Sequence, residues 1–250
     1  MITAIANQKG GVAKTTSTLA LAGLLADEGS CLAIDLDPQG NLTTGLGIEL
    51  EVGQLTSYDV ITGKAKLEQA IVATASGIEL LPGEISLAKV EKELMNTPDR
   101  FHVLKHQLKP YLEQVEQVVI DCPPSLGLLT INALSAADTL LIPVQCQFFA
   151  LKGLQGLLET IETVRRKLNP NLKVLGVLPT MAETNTVITQ EIMKILRSQL
   201  DGVRVFDPVP KSVKFPESNM AGAPIHQYTR DWKLVQPYRE VMRELLMLEG

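Results

Sequence analysis

The chain has 250 residues, 45% of them hydrophobic and 20% charged, with a net charge of −5. That length and balance suit a globular, well-cored protein of one large α/β domain or two small ones, and whole-molecule charge does not advertise a nucleic-acid partner. Three cysteines without paired spacing, Cys31, Cys122 and Cys146, argue against a disulfide framework or a zinc site and suit buried thiols in a reducing cytosol. The N-terminus lacks a basic segment ahead of a long apolar core, and no apolar run reaches about 18 residues, so neither a signal peptide nor a membrane span is expected.

In chain order, apolar strand candidates fall at 2–6, 31–36, 78–81, 115–120, 139–144, 172–178 and 203–206. Helical patterns fall at 16–27, 87–108, 151–168, 187–200 and 235–248. Several strand candidates are continuously apolar, as parallel strands covered on both faces should be. The alternation predicts a doubly wound, mostly parallel sheet with helices on both faces, in a single domain spanning the whole chain. Ligands of such sheets bind at the carboxyl ends of the strands. The Pro/Gly-rich stretch 208–224 reads as the longest loop.

Three motifs fall at strand ends. The first is Lys9-Gly10-Gly11-Val12-Ala13-Lys14-Thr15-Thr16, between the first strand and the first helix. Strand, glycine-containing loop and Lys-Thr opening a helix is the phosphate-loop arrangement of P-loop NTPases. Glycines let backbone N–H groups converge on phosphate oxygens, and the helix N-terminus adds its positive end. Lys14 is expected on the β- and γ-phosphates and the Thr15 hydroxyl on Mg²⁺. Ala13 costs roughly 1–2 kcal/mol if its φ is positive and little otherwise. The second motif, Asp35-Leu36-Asp37-Pro38-Gln39-Gly40-Asn41, sets two carboxylates on one side of a strand end before a Pro/Gly turn. The third, Val118-Val119-Ile120-Asp121-Cys122-Pro123-Pro124, is a β-branched run ending in Asp, a Walker B pattern that delivers a carboxylate to a magnesium shell.

Together these motifs resemble the ParA/MinD family, whose deviant Walker A loop carries a second, signature lysine, here Lys9. The family usually has Gly where Ala13 stands, and Glu where Gln147 stands. The resemblance implies ATP and Mg²⁺ as cofactors, and an ATP-dependent sandwich homodimer in which Lys9 reaches the partner's phosphates. It implies that Asp37 positions the attacking water, that Asp35, Thr15 and Asp121 order the magnesium, and that Gln39 contacts the phosphate region. It places Met181, Pro210 and Ser212 at the adenine. The segment 182–186 lacks an arginine common in the family, which puts its base contacts in doubt.

Charge is uneven. Between Arg197 and Arg243 eight basic residues stand against five acids, so the rest of the chain carries the acidity. A basic patch of this kind fits sequence-independent binding to DNA phosphates. The family resemblance favours Lys211, Lys214, Arg230 and Lys233 as the contacts. It further implies a cytoplasmic, nucleoid-associated protein that moves plasmid, chromosome or carboxysome-like cargo through a ParB-like or McdB-like adaptor. The alternative is a MinD-like membrane-surface switch, which ends in a basic amphipathic helix. The segment 240–250 has one Arg against three Glu, a poor match to anionic lipid. The three histidines, His102, His106 and His226, show no ligand or triad spacing.

Overall fold

The structure, a computed structural model, describes residues 1–147, 150–183, 186–200 and 202–249. One seven-stranded sheet organises it. In chain order its strands are β1 (Ile2–Ile5), β2 (Cys31–Asp35), β3 (Val72–Ala73), β4 (Glu79–Leu81), β5 (Gln117–Asp121), β6 (Thr139–Gln145) and β7 (Lys173–Thr180). Their spatial order is β3-β4-β2-β5-β1-β6-β7. Every pairing is parallel except β3 with β4. Strands β1, β2 and β5 are buried at every residue, which explains why they are mainly apolar, with Thr3 and Gln117 as buried polar exceptions and Asp35 and Asp121 at the strand ends.

Helices cover both faces. Helices α1 (Lys14–Glu28) and α12 (Trp232–Glu249) pack together over one face, where Ile5, Ala33, Val119 and Leu141 join Leu21, Tyr238, Val241 and Leu245 in one apolar cluster. The opposite face carries Ala4, Ile34, Ile120 and Ile142 against α7 (Leu128–Ala136) and α8 (Ala150–Lys167). Between strands lie α2 (Asn41–Gly45), α3 (Ser57–Ile61), α4 (Leu67–Ala70), α5 (Val90–Glu93) and α6 (Val103–Leu108). Helix α9 (Val187–Gln199) follows β7, and α10 (Lys214–Met220) and α11 (Ile225–Tyr228) precede α12.

The mostly parallel, doubly wound architecture agrees with the sequence pattern, and several boundaries need correction. The helix expected at 87–108 is two pieces: a 3-10 turn (Ile85–Lys89) running into α5, then α6. Pro98 and the left-handed Asp99, at φ 60°, separate them. Proline lacks the N–H and drives its predecessor out of the helical region, so the apolar spacing crosses a break. The strand expected at 203–206 makes only an isolated parallel bridge, Val205 to Val177. Pro208 and Pro210 follow and cannot donate to a ladder. The loop expected at 208–224 contains α10. Helix α7 has no expected counterpart: it is buried on nearly all sides, and Thr130, Asn132 and Ser135 are buried along with its apolar residues, so it shows no amphipathic period.

Gly23 is where α1 meets the segment before α12. A Cβ there would lie 2.5 Å from Pro224 Cβ and 2.7 Å from His226 Cε1. Overpacking of this kind costs about 1–3 kcal/mol, while Ala gains about 1 kcal/mol over Gly in helix propensity. Gly23→Ala should therefore lower the melting temperature in a thermal scan; an unchanged or raised value would show that Pro224 and His226 yield freely.

Candidate active site

The parallel register sets the site. Ile5 pairs with Asp121 and Asp121 with Asp35, so the ends of β1, β5 and β2 are level at the carboxyl edge of the sheet. After β1 the chain is held by Asn7, whose side chain donates to Pro143 O at 2.7 Å and accepts from the Lys9 N–H at 3.0 Å. Gly11 and Ala13 then take left-handed conformations, at φ 70° and 64°. Successive amides around such residues form an anion-binding nest. Ala13 therefore bears the strain of roughly 1–2 kcal/mol that a Cβ meets in this region. It also precedes α1, whose first turn has no side-chain cap and no acidic residue. Its leading N–H groups are open to an anion. Thr180, at the end of β7, donates to Val12 O at 3.0 Å and ties the loop to the far strand.

Lys14 is nearly buried. Burial pushes its ammonium down, and the charges of Asp121 and Asp37 push it back up. Its Nζ donates to Lys9 O at 3.4 Å. Thr15 Oγ1 donates to Asp121 Oδ2 at 2.7 Å, and Thr18 Oγ1 to Asp121 Oδ1 at 3.3 Å. Asp121 is fully buried, and desolvation, then the neighbouring Asp35, hold its carboxyl well above the usual range. Asp35 is raised too, chiefly by burial. It accepts from Thr43 N–H at 2.9 Å, Thr43 Oγ1 at 2.8 Å and Asp37 N–H at 3.1 Å. Gly83 lies against it so closely that a Cβ would sit 2.7 Å from Asp35 Cγ. Asp35 thus fastens the loop that carries Asp37. Asp37 is also buried and accepts from the Gln39 N–H at 3.0 Å, and Gln39 itself is exposed.

Beside the loop lies a cavity of about 540 Å³. Ala13 and Thr16 form one side, and Met181, Pro210 and Ser212 the other. The irregular segment after Arg204 runs along β7 to build it: Phe206 N–H donates to Val177 O, Val209 N–H to Pro179 O and Lys211 N–H to Ala182 O, at 2.8–3.0 Å. Met181 adopts φ 52° between these contacts. The site residues expected at the phosphates, metal and base therefore converge on one edge. A hydroxyl beside a buried carboxylate suits a hard divalent cation, which takes oxygen ligands. The open nest and adjoining cavity suit a nucleoside phosphate. Thr184 and Asn185 of the segment lacking the family arginine lie outside the described residues.

Other candidates are placed elsewhere. Lys9 is exposed and its Nζ donates to Gln147 Oε1 at 2.9 Å. Lys211 lies 3.8 Å from Glu183, and Lys214 2.9 Å from Glu217. Arg230 and Lys233 are exposed and flank the 66% exposed Trp232. Sequence reasoning missed Thr18, Thr43, Gly83 and Thr180. Thr18 was within reach, since it stands one helical turn after Thr15; the others meet the site only through tertiary contact.

Comparison with known proteins agrees with this geometry. A family model described as an AAA domain matches residues 1–174. The chromosome partitioning protein ParA of Caulobacter vibrioides is 41% identical over 99% of this chain and 94% of its own length. A solved structure from Mycobacterium smegmatis, titled cobyrinic acid a,c-diamide synthase with bound ATP analog and magnesium, superposes with a TM-score of 0.89 at 35% identity, covering 100% of this chain and 95% of that one. An ATP complex of a McdA variant from Cyanothece gives 0.92 at 26% identity, covering 98% and 95%.

The paired carboxyls make the stability of the ligand-free chain depend on pH. Each binds its proton more tightly in the folded state than in the unfolded one. The folded chain therefore holds more protons above the ordinary carboxylate range, and stability falls as pH rises toward about 8. Thermal melts of ligand-free protein should fall between pH 5.5 and 8.5, both chosen to bracket roughly that window. Asp121→Asn should flatten the dependence; parallel curves for the two proteins would refute it.

Proposed function

The chain belongs to the ParA family of partition ATPases, and from that premise we propose that it couples ATP hydrolysis to reversible, sequence-independent attachment to DNA. The observation that carries this reading is the convergence of a left-handed phosphate nest, a buried lysine and a buried carboxylate on the carboxyl edge of one sheet. Lys14 and the first-turn amides of α1 bind the nucleotide's phosphates. Met181, Pro210 and Ser212 enclose the base, with Gly10, Gly11, Val12, Ala13 and Thr16 along the phosphate chain. Thr15 and Asp121, with Asp35 ordering the site beside them, would hold magnesium, which would supply charge neutralisation at the phosphates. Asp35 keeps the Asp37 loop in place behind them. Asp37 orients water for attack, and Gln39 stands exposed beside it. The whole chain acts as one ATPase domain.

Lys9 acts in a sandwich dimer, on the nucleotide of the partner. Dimerisation doubles the basic surface, and the second set of contacts then engages at high effective concentration. Arg230 and Lys233 lead this surface because neither is engaged in an ion pair among the described residues, whereas Lys211 and Lys214 face Glu183 and Glu217. An adaptor of the ParB or McdB kind stimulates release, and the cargo is a plasmid, a chromosome or a carboxysome-like body on the nucleoid.

Attachment to DNA is favoured over attachment to a membrane by the placement of α12. Tyr238, Val241 and Leu245 are fully buried, and Arg204 pairs with Glu240 at 2.8 Å and with Glu244. The helix is thus committed to the body of the protein. Among the described residues no helix is long and apolar enough to cross a membrane.

DNA retention should be measured on Asp37→Ala, which should keep ATP bound while losing turnover, across a salt series. Binding should require ATP, ignore sequence and fall with log salt at a slope of about −0.9 per phosphate contact. Adding Arg230→Ala and Lys233→Ala should weaken binding to every sequence and flatten the slope. Equal binding without ATP would overturn the coupling, and binding to anionic vesicles with none to DNA would transfer the reading to a membrane switch.

A further inference from the structure

Lys9 turns away from the loop it belongs to. Its Nζ donates to Gln147 Oε1 at 2.9 Å and to Gln145 Oε1 at 3.4 Å. Gln145 is the last residue of β6, and Gln147 follows two residues later. The Lys9 backbone is held as well. Its N–H donates to Asn7 Oδ1, and its carbonyl accepts from Lys14 Nζ at 3.4 Å. The ammonium thus rests on two neutral amides, and no carboxylate lies within ion-pair distance of it among the described residues.

We propose that Gln145 and Gln147 are positioning residues that park Lys9 within its own chain, and that the neutrality of Gln147 keeps this hold weak enough for a partner's phosphates to break. The inference rests on the proposed action of Lys9 across a dimer. An exposed ammonium gains little from an amide oxygen that water does not also offer. Phosphate oxygens are charged acceptors and make shorter, stronger bonds to it. A carboxylate at 147 would compete on more equal terms. The contact between Lys14 and the Lys9 carbonyl adds a link to occupancy. Once Lys14 turns to a bound nucleotide, that carbonyl loses its donor, and the loop at Lys9 is freed when its ammonium is needed elsewhere.

The test compares Gln147→Glu and Gln147→Ala with the unaltered chain in two measurements. In ligand-free protein, acylation of the Lys9 amine is followed by peptide mass spectrometry. It should slow by about two- to fivefold in Gln147→Glu, the range of an exposed ion pair, and quicken by less than that, at most about twofold, in Gln147→Ala, which removes only a neutral amide. With ATP and magnesium, the protein concentration at half-association is read by light scattering. It should rise about two- to fivefold in Gln147→Glu, and this rise should shrink with salt. It should stay or fall in Gln147→Ala, and Gln147→Glu should add nothing in a Lys9→Ala background. Simple damage would shift both variants the same way, and that result overturns the proposal. Equal labelling of all three proteins overturns the hold itself. Shifted labelling with an unchanged association midpoint overturns its role before dimerisation. Absence of ATP-dependent association in the unaltered chain overturns the trans role of Lys9, and the parking proposal falls with it.

Discussion

The level register of β2, β5 and β1 is the constraint on which the rest depends. It sets Asp35 and Asp121 side by side at the end of fully buried strands and starts the phosphate loop from the next strand. Two carboxyls so placed resist ionisation together, because burial and mutual repulsion act in the same direction. The fold meets this with different partners for each. Asp35 is consumed by Thr43 and the Asp37 amide and serves as a structural pin. Among the described residues the Asp121 carboxyl receives only the Thr15 and Thr18 hydroxyls, which leaves it poorly compensated and suited to a cation. The cost of assembling the edge without ligand is the counterpart of its affinity for one.

The second arm of the site comes from the far side of the sheet. Strand β7 reaches the phosphate loop through Thr180 and carries the irregular segment after Arg204 on its outer edge. Prolines prevent that segment from completing a strand. The same irregularity opens the cavity between Ala13 and Ser212. Nucleotide binding, in this arrangement, bridges the first strand and the last, and α12 packs on α1 directly behind the bridge.

What could be read from the sequence was whatever is local. Mainly apolar runs identified β1, β2, β5 and β6 because those strands are covered on both faces. The order strand, glycine loop, lysine and helix located the phosphate site. Position 13 could only be posed as two cases, since an alanine's φ is not written in its neighbours; the structure shows the strained one. Pro98 carried a local signal for the break between α5 and α6, which the apolar spacing on either side overrode. Helix α7 had no periodic signal to find. Thr43 and Gly83 bear on Asp35 across 8 and 48 positions of chain, and such contacts follow from tertiary packing rather than spacing.

The central claim is that Lys14 is held buried beside the phosphate nest so that phosphates can receive it. Calorimetric titration of ATP with magnesium into the unaltered chain and into Lys14→Ala tests it most directly, with a thermal melt of each to establish folding. The account predicts a folded variant with no measurable binding, because among the described residues no other cationic side chain is buried at the loop. A folded Lys14→Ala that bound ATP with the affinity of the unaltered chain would contradict it.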